Sequence, residues 1–169
     1  MKQMNMKQFN QMTLKLSKDE SPASKYRRWM IENGKSFFKV DEERSKKMAI
    51  DLKAKIKQCH TNCTRAILSY KYSDLKYYEG DVLTMGIPIY HSFLIDENNI
   101  VIDPTFGISS KIRIHEAKKR GVDLKDDEKK FGVEYFGIEI PRHDMYKIIC
   151  DKRSQYMDMA FLYWEMKFK

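Results

Sequence analysis

The sequence predicts an α+β fold, on three observations. Apolar residues recur at three- and four-residue spacing within residues 41–70, runs rich in Ile, Val, Tyr and Phe mark residues 76–103 and 133–141, and helical spacing returns from residue 142 onward. Helices, then strands, then helices argue against a doubly wound parallel sheet, which alternates the two. The 169 residues suit one domain of ordinary size plus an extra segment, and 42% apolar residues can form a core. No run approaches the ~18 apolar residues of a membrane span, and MKQMNMKQFNQMTLKLSKDE lacks the apolar stretch of a signal peptide. Three cysteines are odd in number and too few for a disulfide scaffold, so a reduced, cytoplasmic protein is expected.

Along the chain, residues 1–20 are polar and Met-rich and are expected to be frayed or loosely helical. Ser21-Pro22 is a helix start signal, and the helix over SKYRRWMIEN should stop at Gly34. A second helix is expected from Asp41 to Ile56, with Met48, Ala49, Leu52 and Ile56 on its apolar stripe and Ile50 off it. In KQCHTNCTRAILSY (57–70), Cys59, Cys63, Ala66, Ile67 and Tyr70 share one face of a third helix. Strands follow at 76–83, 87–96 and 99–103, the last two joined by a turn at Asp96-Glu97-Asn98-Asn99. IRIHEAKKRG reads as a short charged helix within a loop-rich stretch, and VEYFGIEIP (133–141) as a further strand. Helices over 142–152 and 154–169 close the chain, the second with Met157, Phe161, Trp164 and Phe168 on one side. This divides the chain into a basic helical region, 1–56, and an α+β core, 57–169, whose antiparallel sheet carries the Cys59 helix.

The formal charge of +8 lies in the first third: residues 1–57 hold 15 Lys/Arg against 7 Asp/Glu, and residues 58–169 hold 17 of each. An acidic partner for this region is one reading, nucleic acid included, and a solvated helical surface is the plainer one. No nucleic-acid motif accompanies the charge.

Three residues stand in a suggestive order: Cys59 opening a helix, His91 inside a strand and Asp103 ending the next. A thiol is nucleophilic as thiolate, which the positive end of a helix and a neighbouring imidazolium both favour. A carboxylate would hold the imidazole tautomer and stabilise its charged form. Pairing parity tests the set. In an antiparallel hairpin opposed residues have a constant number sum, and side chains alternate faces. His91 and Asp103 share a face for an even sum, directly opposite at 194 and diagonal at 196, and are parted by an odd one.

With these residues placed, KQCHTNC…YYEGDVLTMGIPIYHSFLIDENNIVIDPTF…YFGIEIP resembles the transglutaminase-like branch of the papain-like cysteine hydrolases, closest to small phage and bacterial proteins. The resemblance covers residues 57–140 and rests on Cys at a helix start, His on one strand and Asp-Pro-Thr ending the next. It implies a papain-like core, a Cys59–His91–Asp103 triad, and acyl transfer from an amide or ester through a thioester. By analogy, the Gln58 side chain or the Cys59 N–H would serve the oxyanion and Asn62 would orient the site. No calcium loop is recognisable, and no cofactor or metal is expected.

Plainer roles are expected for the remaining candidates. Cys63, one turn after Cys59, should be core. Zinc on Cys59, Cys63 and His91 has suitable chemistry, but no second Cys/His pair follows. His60 should lie on the surface pointing away from the site, and His115 and His143 should be solvated. Tyr77, Tyr78 and Tyr90 should be strand packing, Gly80 and Gly86 turn glycines, and Tyr135-Phe136-Gly137 the edge of the core. The leading functional expectation is a cytoplasmic cysteine hydrolase or acyltransferase acting on a peptide or other amide. The alternative is an inactive binding protein, phage-encoded, that holds a host factor through its basic region.

Overall fold

The computed structural model describes residues 5–84, 87–119, 121, 134–151 and 158–168. Among these residues, seven helices surround one five-stranded sheet, which makes the fold α+β. The helices are α1 (Met6–Leu16), α2 (Pro22–Asn33), α3 (Glu42–Asp51), α4 (Cys59–Leu68), α5 (Pro104–Lys119), α6 (Arg142–Cys150) and α7 (Met159–Phe168). The strands are β1 (Lys35–Phe37), β2 (Lys76–Thr84), β3 (Ile87–Ile95), β4 (Val101–Ile102) and β5 (Glu134–Ile140), in the order β1-β5-β2-β3-β4 with every pairing antiparallel. No helix among the described residues is long and apolar enough to cross a membrane.

Local chemistry sets most boundaries. Ser21 caps α2 with its side chain and Pro22 occupies the first turn, where a missing N–H costs nothing. Asp41 caps α3 through Arg44 N–H. The N-terminal segment is better ordered than its composition suggested, because Asn5 and Gln8 form a reciprocal capping box at α1 and Met6 is fully buried. The helix after Asp41 ends at Asp51, five residues early, where Lys53 turns left-handed at φ 48° and leaves Ile56 exposed. Likewise α4 stops at Leu68, and Tyr70, expected on its buried face, is fully exposed in a separate 3-10 turn. The charged helix expected near residue 111 is the far end of α5, which already begins at Pro104. Met157 and Gly86 lie outside the described residues.

Both faces of the sheet are covered. Tyr77, Leu83, Leu94, Ile138 and Ile140 face a core shared with α2, α4, α6 and α7. Tyr78, Val82, Phe93, Ile95, Val101 and Tyr135 form the opposite core with Phe37. Phe161, Trp164 and Phe168 of α7 stack on one another and meet Tyr26 and Trp29 of α2, as their spacing predicted. The basic cluster of α2 is turned inward: Arg27 pairs with buried Asp81 at 2.6 Å, while Arg28 bonds the Ser17 and Asp19 carbonyls and Glu20. These guanidinium groups are already partnered within the fold.

Gly80 is not a turn residue but the centre of β2, paired on one side with His91 and on the other with Gly137. A Cβ there would stand 2.2 Å from the Phe136 carbonyl oxygen and 2.6 Å from the Gly137 Cα, so backbone must move to admit it. Gly80→Ala is therefore expected to lower stability by about 3 kcal/mol, read as an earlier urea midpoint at unchanged slope.

Candidate active site

The site begins with a hairpin. Asp96 accepts the N–H groups of Asn98 and Ile100 on one carboxylate oxygen, each at 2.9 Å, and Asn99 closes the turn in the left-handed region at φ 59°. This places Leu94 opposite Ile102 and Ile95 opposite Val101, a number sum of 196. The sum is even, so His91 and Asp103 lie diagonally on one face, and the His91 Nε2 to Asp103 Oδ2 distance is 2.7 Å.

Asp103 divides its two carboxylate oxygens between tasks. Oδ1 accepts the N–H groups of Thr105 and Phe106 at 3.0 and 3.1 Å, capping α5 as Pro104 enters its first turn. Oδ2 accepts the Tyr135 hydroxyl at 3.1 Å and faces the imidazole. The Asp103 N–H is itself held by Ser45 Oγ at 2.9 Å, and Ser45 donates to the Asp41 carbonyl. Helix α3 can bring Ser45 this close because Gly107 of α5 has no side chain; a Cβ there would lie 2.7 Å from the Ser45 carbonyl oxygen. Asp103 is fully buried, and Phe106 packs edge-on against the His91 ring with centroids 5.1 Å apart.

Cys59 is the first residue of α4, partly exposed, and its thiol interacts electrostatically with His91. Burial opposes ionisation of its thiol, but the bond to His91, the imidazolium charge and backbone bonds from Ser92 and His60 outweigh it and hold the thiol below its ordinary value. For His91, burial acts downward, and the Asp103 carboxylate with the Cys59 sulfur reverses this and raises it to about 10. The two shifts describe one coupled pair that favours thiolate with imidazolium. Such a pair can attack an electrophilic carbon and then return a proton to a leaving group.

The other candidates sit elsewhere. The Gln58 side chain is exposed and makes no capping bond. Asn62, 1% exposed, donates to the Lys55 carbonyl and Thr105 Oγ1 at 2.7 and 2.9 Å and accepts Lys55 N–H at 3.0 Å, so it fastens the loop before α4 and the start of α5. Cys63 is fully buried with its thiol on the Ser92 carbonyl, and burial pushes it up. His115 is exposed, and His143, also exposed, lies 3.2 Å from Asp144. Tyr135 is no edge residue: it is fully buried and bonded to Asp103.

His60 corrects a further expectation. It turns inward across the end of β3, with Nδ1 3.0 Å from the Tyr77 hydroxyl and Nε2 3.1 Å from Glu79 Oε1. Cys59 and His60 therefore reach opposite faces of the sheet, one to His91 and the other to Tyr77 and Glu79. Glu79 is fully enclosed; burial, only partly offset by bonds from Tyr90 and the Ala160 N–H, raises it to about 8. Two of the unforeseen residues carried a signal. Ser45 stands three residues before Met48 on the apolar stripe of its helix, where a hydroxyl needs a partner, and Glu79 is an acid in the middle of a strand otherwise buried.

The His91 shift sets a pH dependence. A histidine raised in the folded state contributes stability that is whole below its ordinary value near 6.5 and is lost as pH climbs through the folded one. Asp103→Asn is thus expected to cost about 3–5 kcal/mol in urea melts near pH 6, with the deficit shrinking above pH 10. Tyr135→Phe, which removes one donor to the same carboxylate, should cost about 1–2 kcal/mol. Comparison with known family models, curated proteins and solved structures finds no match to this chain. The likeness described above accordingly rests on the sequence of residues 57–140 alone.

Proposed function

We propose that the chain is a cysteine-dependent hydrolase or acyltransferase acting on an amide bond of a peptide or side chain. One observation carries the reading: Asp103 holds His91 at Nε2, 2.7 Å away, and the Cys59 sulfur, at a helix N-terminus and open in part to solvent, lies near enough to that ring for the two to shift each other's ionisation. A buried cysteine serving only as packing has no need of a histidine and carboxylate behind it, as Cys63 illustrates.

In this mechanism the Cys59 thiolate attacks the carbonyl carbon, and the oxygen, now negative, is met by the free N–H groups at the start of α4. The His91 imidazolium gives its proton to the leaving amine as the C–N bond breaks, leaving a thioester on Cys59. Neutral His91 then takes a proton from water or an amine, which attacks the thioester and releases the acyl group with the thiolate restored. Asp103 holds the ring in place throughout and faces its positive charge. The Asn62 bonds to Lys55 and Thr105 act on position alone, by fixing the first turn of α4 against α5. Three free thiols suit a reducing compartment, and the cytoplasm is the proposed location.

The test uses an activated acyl ester with intact-mass detection. A single acyl adduct on Cys59, released by hydroxylamine, is expected; it should be absent in Cys59→Ala and form at least tenfold more slowly in His91→Ala. Iodoacetamide should label Cys59 ahead of exposed Cys150 and leave Cys63 untouched. Adducts spread equally over Cys59 and Cys150, or a His91→Ala rate equal to that of the unmodified chain, would refute the reading.

A further inference from the structure

On the face of the sheet away from His91, a second group of polar side chains gathers that the acyl-transfer chemistry does not use. A ring nitrogen of His60 and one carboxylate oxygen each of Glu79 and Asp158 all lie within 4.8 Å of one another. They come from three separate pieces of chain: the second residue of α4, the middle of β2, and the residue that precedes α7.

The hydrogen bonds around the group decide what can sit between them. The Tyr77 hydroxyl donates to Ser92 Oγ at 3.1 Å, with Glu79 Oε2 as its other acceptor at 3.4 Å. In that arrangement its oxygen is free to take the Nδ1–H of the His60 ring, 3.0 Å away. A neutral His60 with its hydrogen on Nδ1 turns a bare lone pair at Nε2 toward Glu79 Oε1, 3.1 Å away. Glu79 Oε1 is wholly enclosed and receives no hydrogen bond, while Oε2 is satisfied by the Ala160 N–H at 3.0 Å. Two electron-pair donors facing each other at this distance repel unless something electron-poor lies between them. A single proton would join two of the three groups; the Asp158 carboxylate, within reach of both, suits an ion that takes three. Adjacent ligands on a tetrahedral metal with bonds of ~2.1 Å stand about 3.4 Å apart, close to the 3.1 Å between Nε2 and Oε1.

We propose that His60 Nε2, Glu79 Oε1 and Asp158 form a binding site for a divalent transition-metal ion, with zinc the best fit to one imidazole and two carboxylates. The Tyr77 hydroxyl is the outer partner that fixes the His60 tautomer, a role that metal-ligating histidines regularly require. His60 is half-buried, which leaves the ion a route from solvent. Once bound, the ion fastens the start of α7 to β2 and to the first turn of α4, the turn that carries Cys59. Its place is structural and needs no acyl-transfer activity, so the two readings stand or fall apart.

The test is zinc titration of chelator-stripped full-length protein by calorimetry, with thermal unfolding alongside. One zinc per chain at micromolar affinity or tighter is expected, with a raised unfolding midpoint. Glu79→Gln and, at an exposed position that spares the core, Asp158→Asn should each weaken binding at least tenfold and remove the thermal shift. Cys59→Ala should bind zinc as the unaltered chain does. The proposal is overturned if no zinc binds, if binding survives both carboxylate changes, or if it is lost in Cys59→Ala, which would place the ion on the thiol. Glu79→Gln that melts higher than the unaltered chain, with zinc affinity unchanged, would also overturn it and assign the gap to a shared proton.

Discussion

The site depends on a single carboxylate whose two oxygens are committed in different directions. One oxygen of Asp103 ends the sheet and starts a helix, by taking the first free N–H groups of α5. The other takes the Tyr135 hydroxyl and orients His91. Because the same group does both, the imidazole is positioned at the junction where strand, helix and a neighbouring helix meet. This accounts physically for Asp-Pro-Thr: an acid to cap, a proline to enter the first turn, and a threonine whose hydroxyl takes the Asn62 bond that draws α4 in. A glutamate at this position would hold its carboxylate a bond farther from both partners.

The placement of α4 follows from the open edge of β3. Strand β4 pairs only at Leu94 and Ile95, so the backbone of Ser92, one step along, is free to meet α4 instead. Its carbonyl takes the Cys63 thiol, and its backbone also bonds Cys59. The helix start therefore butts against a strand edge rather than lying over a face. Two consecutive residues there can then serve different faces, which ordinary helix-on-sheet packing would forbid. Cys59 reaches the imidazole, and His60 reaches the enclosed acid on the other side.

The first 56 residues contribute directly to this arrangement. Ser45 holds the Asp103 backbone, β1 extends the sheet beside β5, and the Met6 N–H is bonded to Glu134. Much of the positive charge is drawn into the fold as well: Arg27 meets Asp81, and Arg28 binds the carbonyls that precede its own helix. A basic composition is thus not in itself a basic surface, since part of it answers buried acids.

What the sequence by itself determined is what depends on local spacing. Helix starts at Ser21-Pro22 and Asp41 and the hairpin at Asp96–Asn99 rest on short-range hydrogen bonding, which a handful of neighbouring residues specify, whereas the shared face of His91 and Asp103 followed from strand alternation only once the structure supplied an even register. Tertiary structure decided what depends on meetings across long stretches of chain. Ser45, 58 residues from the backbone N–H it holds, reads in sequence only as a hydroxyl on an apolar stripe. Gly80 looks like punctuation until Gly137 is found against it, and Tyr135 gains its role only when β5 is brought level with Asp103. His60 was misjudged for the same reason: helix periodicity sets the direction of a side chain, whereas the strand edge against which the helix stops sets what that side chain touches.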